Sequence, residues 1–284
     1  MTADELLWKE DGLDKLESGA WTREKYVHLF HYMQLFSKGM KNLWEKRVYL
    51  DLYSGPGCCL LAGTEKVYKG SPLLALSVQH PFDKYIFCEK NPSHLLALQK
   101  RISSLHTQAE IDYISGDCDD NVDIIISKLP KPSREMRVLT FCFVDPFDLS
   151  PHFRTINKLA GARRIDFLVL LALAMDGNRN VRNYLNPKND KIDMLLESPD
   201  WRQKWETIRL RDDSFQRFLA NEFEQKMLAI GYLKGKMNTK EFKIPGKNVT
   251  LYHLAFFSKN KRGYDFWEKG VHSSDPQESL IFDD

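Results

Sequence analysis

Residues Arg47 to Gly57 read Arg-Val-Tyr-Leu-Asp-Leu-Tyr-Ser-Gly-Pro-Gly. Val48 to Leu52 is a short apolar run with one carboxylate, Asp51, close to its end, and Ser54-Gly55-Pro56-Gly57 then breaks the strand pattern. This combination predicts a buried parallel strand running into a glycine-rich turn. Glycines there let backbone approach a ligand closely, and an acid at the strand's carboxyl end can accept hydrogen bonds from a cationic or hydroxylated group. The Asp-x-x-x-Gly-x-Gly spacing is not the strict dinucleotide fingerprint. On this stretch alone an ordinary tight turn competes with a ligand loop.

Downstream the same unit recurs. Cys58 to Lys69 is too short and mixed to predict a regular element, and Gly70-Ser71-Pro72 then opens a helix with Ser71 as its cap. That helix start would offer backbone N–H groups to an anion. Tyr85 to Glu89 reads as a second strand ending in an acid, Ile111 to Ile114 as a third before Gly116-Asp117-Cys118, Arg137 to Val144 as a fourth before Asp145-Pro146-Phe147-Asp148, and Phe167 to Leu173 as a fifth. Helical patterns separate them. The fold class is therefore α/β, a doubly wound, mostly parallel, Rossmann-like sheet. Asp51, Glu89, Asp117 and Asp145 would share the edge where ligands bind in such sheets. Glu89 suits ribose hydroxyls, and Asp117 suits the exocyclic amine of an adenine.

Around this sheet, residues 1–20 carry little periodicity and read as an N-terminal arm, with residues 21–284 as one domain. A helix from about 23 to 45 is expected behind Thr22. On it Lys25, His28 and His31 read as solvated or satisfied surface groups. Residues 174–212 form a polar helical insertion containing Trp201 and Trp205, either a lid or a core-packed helix pair. Ser214 to Ile230 is amphipathic. Residues 241–258 read as an antiparallel hairpin closing the sheet. Residues 226–262 hold nine Lys and Arg against one acid, Glu241. That basic region is a solvated sheet edge or a track for the phosphates of RNA or DNA.

The chain has 284 residues, 28% of them charged and 43% hydrophobic, as in an ordinary soluble globular protein. No leader pattern and no apolar run of membrane length is seen, which predicts a cytoplasmic, non-membrane protein. The five cysteines include no Cys-x-x-Cys pair, so reduced thiols and no metal site are expected. Cys58, Cys59, Cys88 and Cys118 all fall near the ligand edge. A redox-sensitive or metal-binding cluster is the minor reading beside small buried fillers.

The ordered set Asp-Leu-Tyr-Ser-Gly-Pro-Gly, Gly-Ser-Pro-Leu-Leu-Ala-Leu, Phe-Cys-Glu-Lys-Asn-Pro, Gly-Asp-Cys, Phe-Val-Asp-Pro-Phe and the late Phe-Phe-Ser-Lys-Asn-Lys-Arg-Gly-Tyr-Asp-Phe-Trp resembles the three-Cys-motif partner proteins, over about residues 20 to 269. These are methyltransferase-like and are paired with a phage-type three-cysteine protein. The resemblance implies a class I methyltransferase fold and S-adenosylmethionine (AdoMet) held by Asp51, Tyr53, Ser54, Gly55, Gly57, Ser71, Glu89, Asp117 and Cys118. The glycine turn, the Gly-Ser-Pro helix start and the Asp-Pro element are also similar to those of the J-type ribosomal RNA adenine-N6 methyltransferases. In amino methyltransferases an (Asp/Asn)-Pro-Pro-(Tyr/Phe) motif holds the target amine and stacks the base. The similarity implies that Asp145, the Pro146 carbonyl and Phe147 repeat those roles, although Asp148 stands where the aromatic is expected. Two functions follow: an AdoMet-dependent methyltransferase acting on an amine, in nucleic acid, or a non-catalytic methyltransferase-fold partner of a three-cysteine protein. A nucleotide-dependent oxidoreductase is disfavoured because Gly-x-Gly-x-x-Gly is missing.

Overall fold

The computed structural model describes residues 3–19, 21–146, 148–173, 179–211, 214–234, 239–243 and 250–273. In chain order these form β1 (Leu7–Trp8), β2 (Leu16–Ser18), α1 (Trp21–Met40), β3 (Lys46–Asp51), β4 (Cys58–Leu61), β5 (Val67–Lys69), α2 (Ser71–Leu76), β6 (Lys84–Glu89), α3 (Pro92–Ser104), β7 (Glu110–Ser115), α4 (Val122–Lys128), β8 (Val138–Val144) and α5 (Phe153–Ala162). There follow β9 (Ile165–Leu171), α6 (Arg179–Tyr184), α7 (Lys191–Leu196), α8 (Trp201–Ile208), α9 (Phe215–Ala229), β10 (Thr239–Lys243), β11 (Thr250–Phe257) and α10 (Lys261–Ser273).

Seven strands form the main sheet in the order β10-β11-β9-β8-β3-β6-β7. The five from β7 to β9 run parallel, whereas β11 is antiparallel to both β9 and β10. The expected hairpin is thus present as β10 and β11, while its turn, Pro245-Gly246 included, lies outside the described residues. Strands β8 and β9 are buried at every position because both faces are covered. Alternate residues serve opposite layers. Cys142, Val144, Phe167 and Val169 join the core beneath α4, α5 and α7 to α9. Phe141, Phe143, Leu168 and Leu170 join the core beneath α1, α2 and α10.

Three expectations are corrected. The N-terminal residues form β1 and β2, which pair with β5 and β4 in a second, four-stranded sheet, so Cys58 to Lys69 is not irregular. Strands of two to four residues have no readable period. They are fixed by partners distant in sequence. Helix α1 stops at Met40 instead of continuing to 45, because Leu43 and Trp44 donate back to the Met40 carbonyl in a closing turn. The insertion packs as core: Trp201 and Trp205 are buried against Phe215 and Phe218 of α9. The lid alternative is thereby removed for α8, since a lid cannot carry the domain's buried aromatics and still open freely.

Candidate functional site

Parallel strands β3, β6, β7 and β8 deliver Asp51, Glu89, Asp117 and Asp145 to one edge. Asp51 ends β3 with a fully buried side chain. It accepts from the Tyr49 hydroxyl at 3.1 Å and the Tyr53 N–H at 3.2 Å, and also from the Ser71 hydroxyl. Burial pushes its carboxyl up to about 7, against these three hydrogen bonds and with help from the nearby Asp145 charge. Ser71 is the first residue of α2, and Gly70, in extended conformation, is the cap. The correction has a physical reason, since the Ser71 hydroxyl serves Asp51 instead of its own helix. With six residues, α2 is too short to support the anion-binding helix start expected from sequence.

The turn after β3 needs its glycines. Gly55 and Gly57 hold φ values of +60° and +85°, and a Cβ on Gly57 would stand 2.8 Å from Leu98 Cδ1. Gly70 N–H donates to the Gly57 carbonyl at 2.7 Å, which clips the turn to the start of α2. Ser54 spends both its N–H and its hydroxyl on the Cys88 carbonyl, at 3.0 and 3.1 Å. Its side chain therefore holds β3 to β6. Glu89 Oε2 accepts from Gly55 N–H at 2.8 Å and Oε1 from Asn91 N–H at 2.8 Å. The acid of the second strand is thus oriented by the glycine turn itself.

Asp117 accepts from Asp119 N–H at 3.0 Å and pairs with Lys90 at 2.9 Å. Burial opposes its ionisation, but these partners outweigh it and hold the carboxyl below its usual value. Cys118 is buried beside Tyr53, whose hydroxyl donates to its sulfur. Asp145 Oδ2 is 2.6 Å from Lys25 Nζ on α1, and both side chains are nearly buried. Pro146 is buried, and Phe147 lies outside the described residues. All the other residues expected at the site are therefore at one edge, while Asp148 turns to Lys191 at 2.6 Å.

Sequence reasoning missed two members. Lys25, read as a surface group, lies 120 positions from its carboxylate. The signal available was a cation one turn before Leu29, within the apolar rhythm of α1. Arg101 on α3 is fully buried and donates to the Pro56 carbonyl at 2.6 Å, to the Asp14 carbonyl at 2.7 Å and to Asp11 through Nε and a terminal nitrogen, both at 2.8 Å. It ties the glycine turn to the N-terminal strands.

All five cysteines are buried free thiols. Burial pushes Cys58 and Cys118 up to about 12 and raises Cys59, Cys88 and Cys142 as well. Asp117, Cys118 and Asp119 place ligand atoms within 4.8 Å of one another. Those atoms already have protein partners: Lys90 on Asp117, Tyr53 on Cys118, and Thr155 with His152 on Asp119.

The basic region divides. Phe257 pairs with Phe167 at the start of β9, so Lys259, Lys261 and Arg262 follow at the edge opposite the acids. Lys243, at the end of β10, and Thr250, at the start of β11, lie toward the acid edge. Lys236 and Lys247 lie outside the described residues. Among the described residues no helix is long and apolar enough to cross a membrane.

No family model and no curated protein matches the chain. Among solved structures it is similar to protein LPL1258 of Legionella pneumophila, of the DUF519 family, with 14% identity, 90% of this chain and 91% of that one covered, and a TM-score of 0.51. At that identity the likeness shows the fold, a Rossmann-like α/β plan. An O-methyltransferase from Bacillus cereus in complex with SAH overlaps at 12% identity, covering 84% of this chain and 81% of that one, with a TM-score of 0.41. TYW2 of M. jannaschii in complex with AdoMet overlaps at 12% identity, covering 79% and 74%, with a TM-score of 0.39.

Proposed function

We propose that this chain is an AdoMet-dependent methyltransferase that methylates an amine in nucleic acid. The observation that carries the reading is the convergence of Asp51, Glu89, Asp117 and Asp145 around two left-handed glycines at one sheet edge. The donor set fits the cofactor. Asp51 is a buried carboxylate with neutral partners, suited to a cationic group. Each Glu89 oxygen accepts one N–H and, having two lone pairs, retains capacity for a ribose hydroxyl. Asp117 and the Cys118 backbone follow Gly116, in position for an adenine edge. When bound, AdoMet supplies an electrophilic methyl group on a sulfonium.

The chain's own task is alignment. Asp145 accepts from the target amine and draws off its developing positive charge, and the Pro146 carbonyl accepts the second N–H. Lys25 now neutralises Asp145, so the amine must share or displace that ammonium. A base in a duplex would have to be extruded to reach this depth. The Lys243 end of the hairpin strands lies toward the acid edge, and in this reading the hairpin would meet the nucleic-acid backbone.

The Lys25–Asp145 pair also favours a second reading. If Lys25 keeps Asp145, the protein is a non-catalytic partner of a phage-type three-cysteine protein, as the resemblance to three-Cys-motif partners implies. Calorimetric titration of AdoMet and S-adenosylhomocysteine into the wild type and Glu89→Gln separates the outcomes. Loss of one charge-assisted hydrogen bond predicts roughly tenfold weaker binding in the variant. Binding followed by labelled-methyl transfer to RNA or DNA supports the enzyme, and binding without transfer supports the partner. An absence of wild-type binding overturns the cofactor assignment.

A further inference from the structure

A second site lies at the opposite edge of the sheet. A cavity of about 200 Å³ opens where β8 and β9 begin, bounded by the end of α1, the turn after it and the first turn of α10. Its apolar wall is Met40, Leu43, Trp44 and Leu139, and its rim carries Arg137, Arg164 and Arg262. Asp166 is the buried polar group in it.

The three arginines differ in what they have left to give. Arg137 is clamped by Glu45, with contacts of 2.6 and 3.0 Å, so that pair is neutral. Arg164 has its guanidinium over the Trp44 ring at 5.7 Å. Among the described residues neither Arg164 nor Arg262 is paired with a carboxylate. Two guanidiniums without a carboxylate partner among the described residues thus stand at the rim of a cavity with one apolar wall, beside the positive end of the 13-residue helix α10. Asp166 would oppose an anion if ionised, but burial pushes its carboxyl up to about 7, against a hydrogen bond from Ser258. The volume leaves room for one ring against the apolar wall, since a cavity of roughly 150 Å³ holds benzene.

We propose that this cavity binds a small phosphate monoester whose stem is a single apolar ring. The ring lies against Met40 and Leu139, and the phosphate is forked by Arg164 and Arg262. Guanidiniums match phosphate oxygens bidentately, and a dianion neutralises both. The site is separate from the acid edge and does not rest on the methyltransferase reading.

Calorimetric titration with phenyl phosphate at fixed ionic strength tests it, with inorganic phosphate and phenol as comparison ligands. Phenyl phosphate is expected to bind once per chain, at least about tenfold more tightly than either fragment, because charge-assisted contacts and ring burial both contribute. Arg164→Gln and Arg262→Gln, each at an exposed side chain, should each weaken it about tenfold. Arg164→Lys, which keeps the charge without the fork, should fall between. No binding to the wild type, unchanged affinity in both Gln variants, or equal affinity for inorganic phosphate would overturn the assignment.

Discussion

Replacing Arg101 by Met should destabilise the protein and loosen the glycine turn at the same time. The guanidinium makes five hydrogen bonds: two to Asp11 and one each to the carbonyls of Leu13, Asp14 and Pro56. Met keeps most of the stem's volume, but leaves a partly buried carboxylate and several carbonyls without their donor. Breaking a buried pair in this way costs about 3 to 5 kcal/mol. A second route to the magnitude comes from Asp11. Burial opposes its ionisation, yet Arg101, Trp8 and Leu13 hold its carboxyl down from 3.8 to about 2. At 1.36 kcal/mol per unit that is about 2.4 kcal/mol, reduced to about 1 to 2 because the carboxylate is partly open to solvent. A depressed carboxyl stabilises the fold above its unfolded value, so this share is present above pH 4 and is lost as pH falls toward 2. Urea unfolding at pH 7 and pH 3 should therefore show a deficit in Arg101→Met that narrows in acid. The slope against urea should also fall, because an undocked N-terminal sheet exposes less new surface on unfolding. A deficit below about 1 kcal/mol at pH 7, or one that does not narrow in acid, would refute the account. Because Pro56 sits between the two site glycines, AdoMet binding should weaken in the same variant.

Two further outcomes are expected. Asp51, raised from 3.8 to about 7, stays protonated in the folded protein while the unfolded chain ionises. Stability should therefore decline between about pH 4 and pH 7, by at most about 4 kcal/mol from this group. Asp166, raised to about 7 as well, adds a similar slope. Asp51→Asn should remove only the first share, and an unchanged urea-midpoint profile would show that Asp51 is ionised throughout. The five buried thiols should resist a disulfide reagent until the protein unfolds, and rapid labelling of any one in the native state would contradict its burial and raised pKa.

The parallel core was legible because its strands are buried on both faces: Val48 to Leu52 and Arg137 to Val144 read as apolar runs with an acid at or just past the end. The site acids were legible for the same reason, since strand direction alone assigns them to one edge. What escaped reading depends on partners distant in sequence. Nothing near Leu7 or Leu16 foretells pairing with Tyr68 or Cys59, and strands so short have no alternation to detect. Arg101 carries no local signal, because its partners lie at residues 11 to 14 and 56. Ser71 looked like a cap because of its place before Pro72, whereas the demand of buried Asp51 for a donor decided its role.

The four edge acids are alike in sequence but not in how their charge is met. Glu89 is answered by two backbone N–H groups, Asp117 by an N–H and Lys90, and Asp145 by Lys25. Asp51 has only two hydroxyls and one N–H, all neutral, which is why burial dominates its titration. An arriving cation therefore gains most at Asp51, by fully ionising a carboxyl that the protein alone holds at about 7, only about half ionised near neutrality. At Asp145 the balance runs the other way. A cationic amine could exchange for the Lys25 ammonium at little electrostatic cost, whereas a neutral base amine could not compensate the carboxylate by itself. A carboxylate oxygen accepts more than one hydrogen bond, so a neutral amine is accommodated best with Lys25 still in place. Lys25→Met should then impair transfer to a neutral base amine while sparing cofactor binding. If it instead raises transfer, Lys25 is a competitor for Asp145 and the acceptor is cationic.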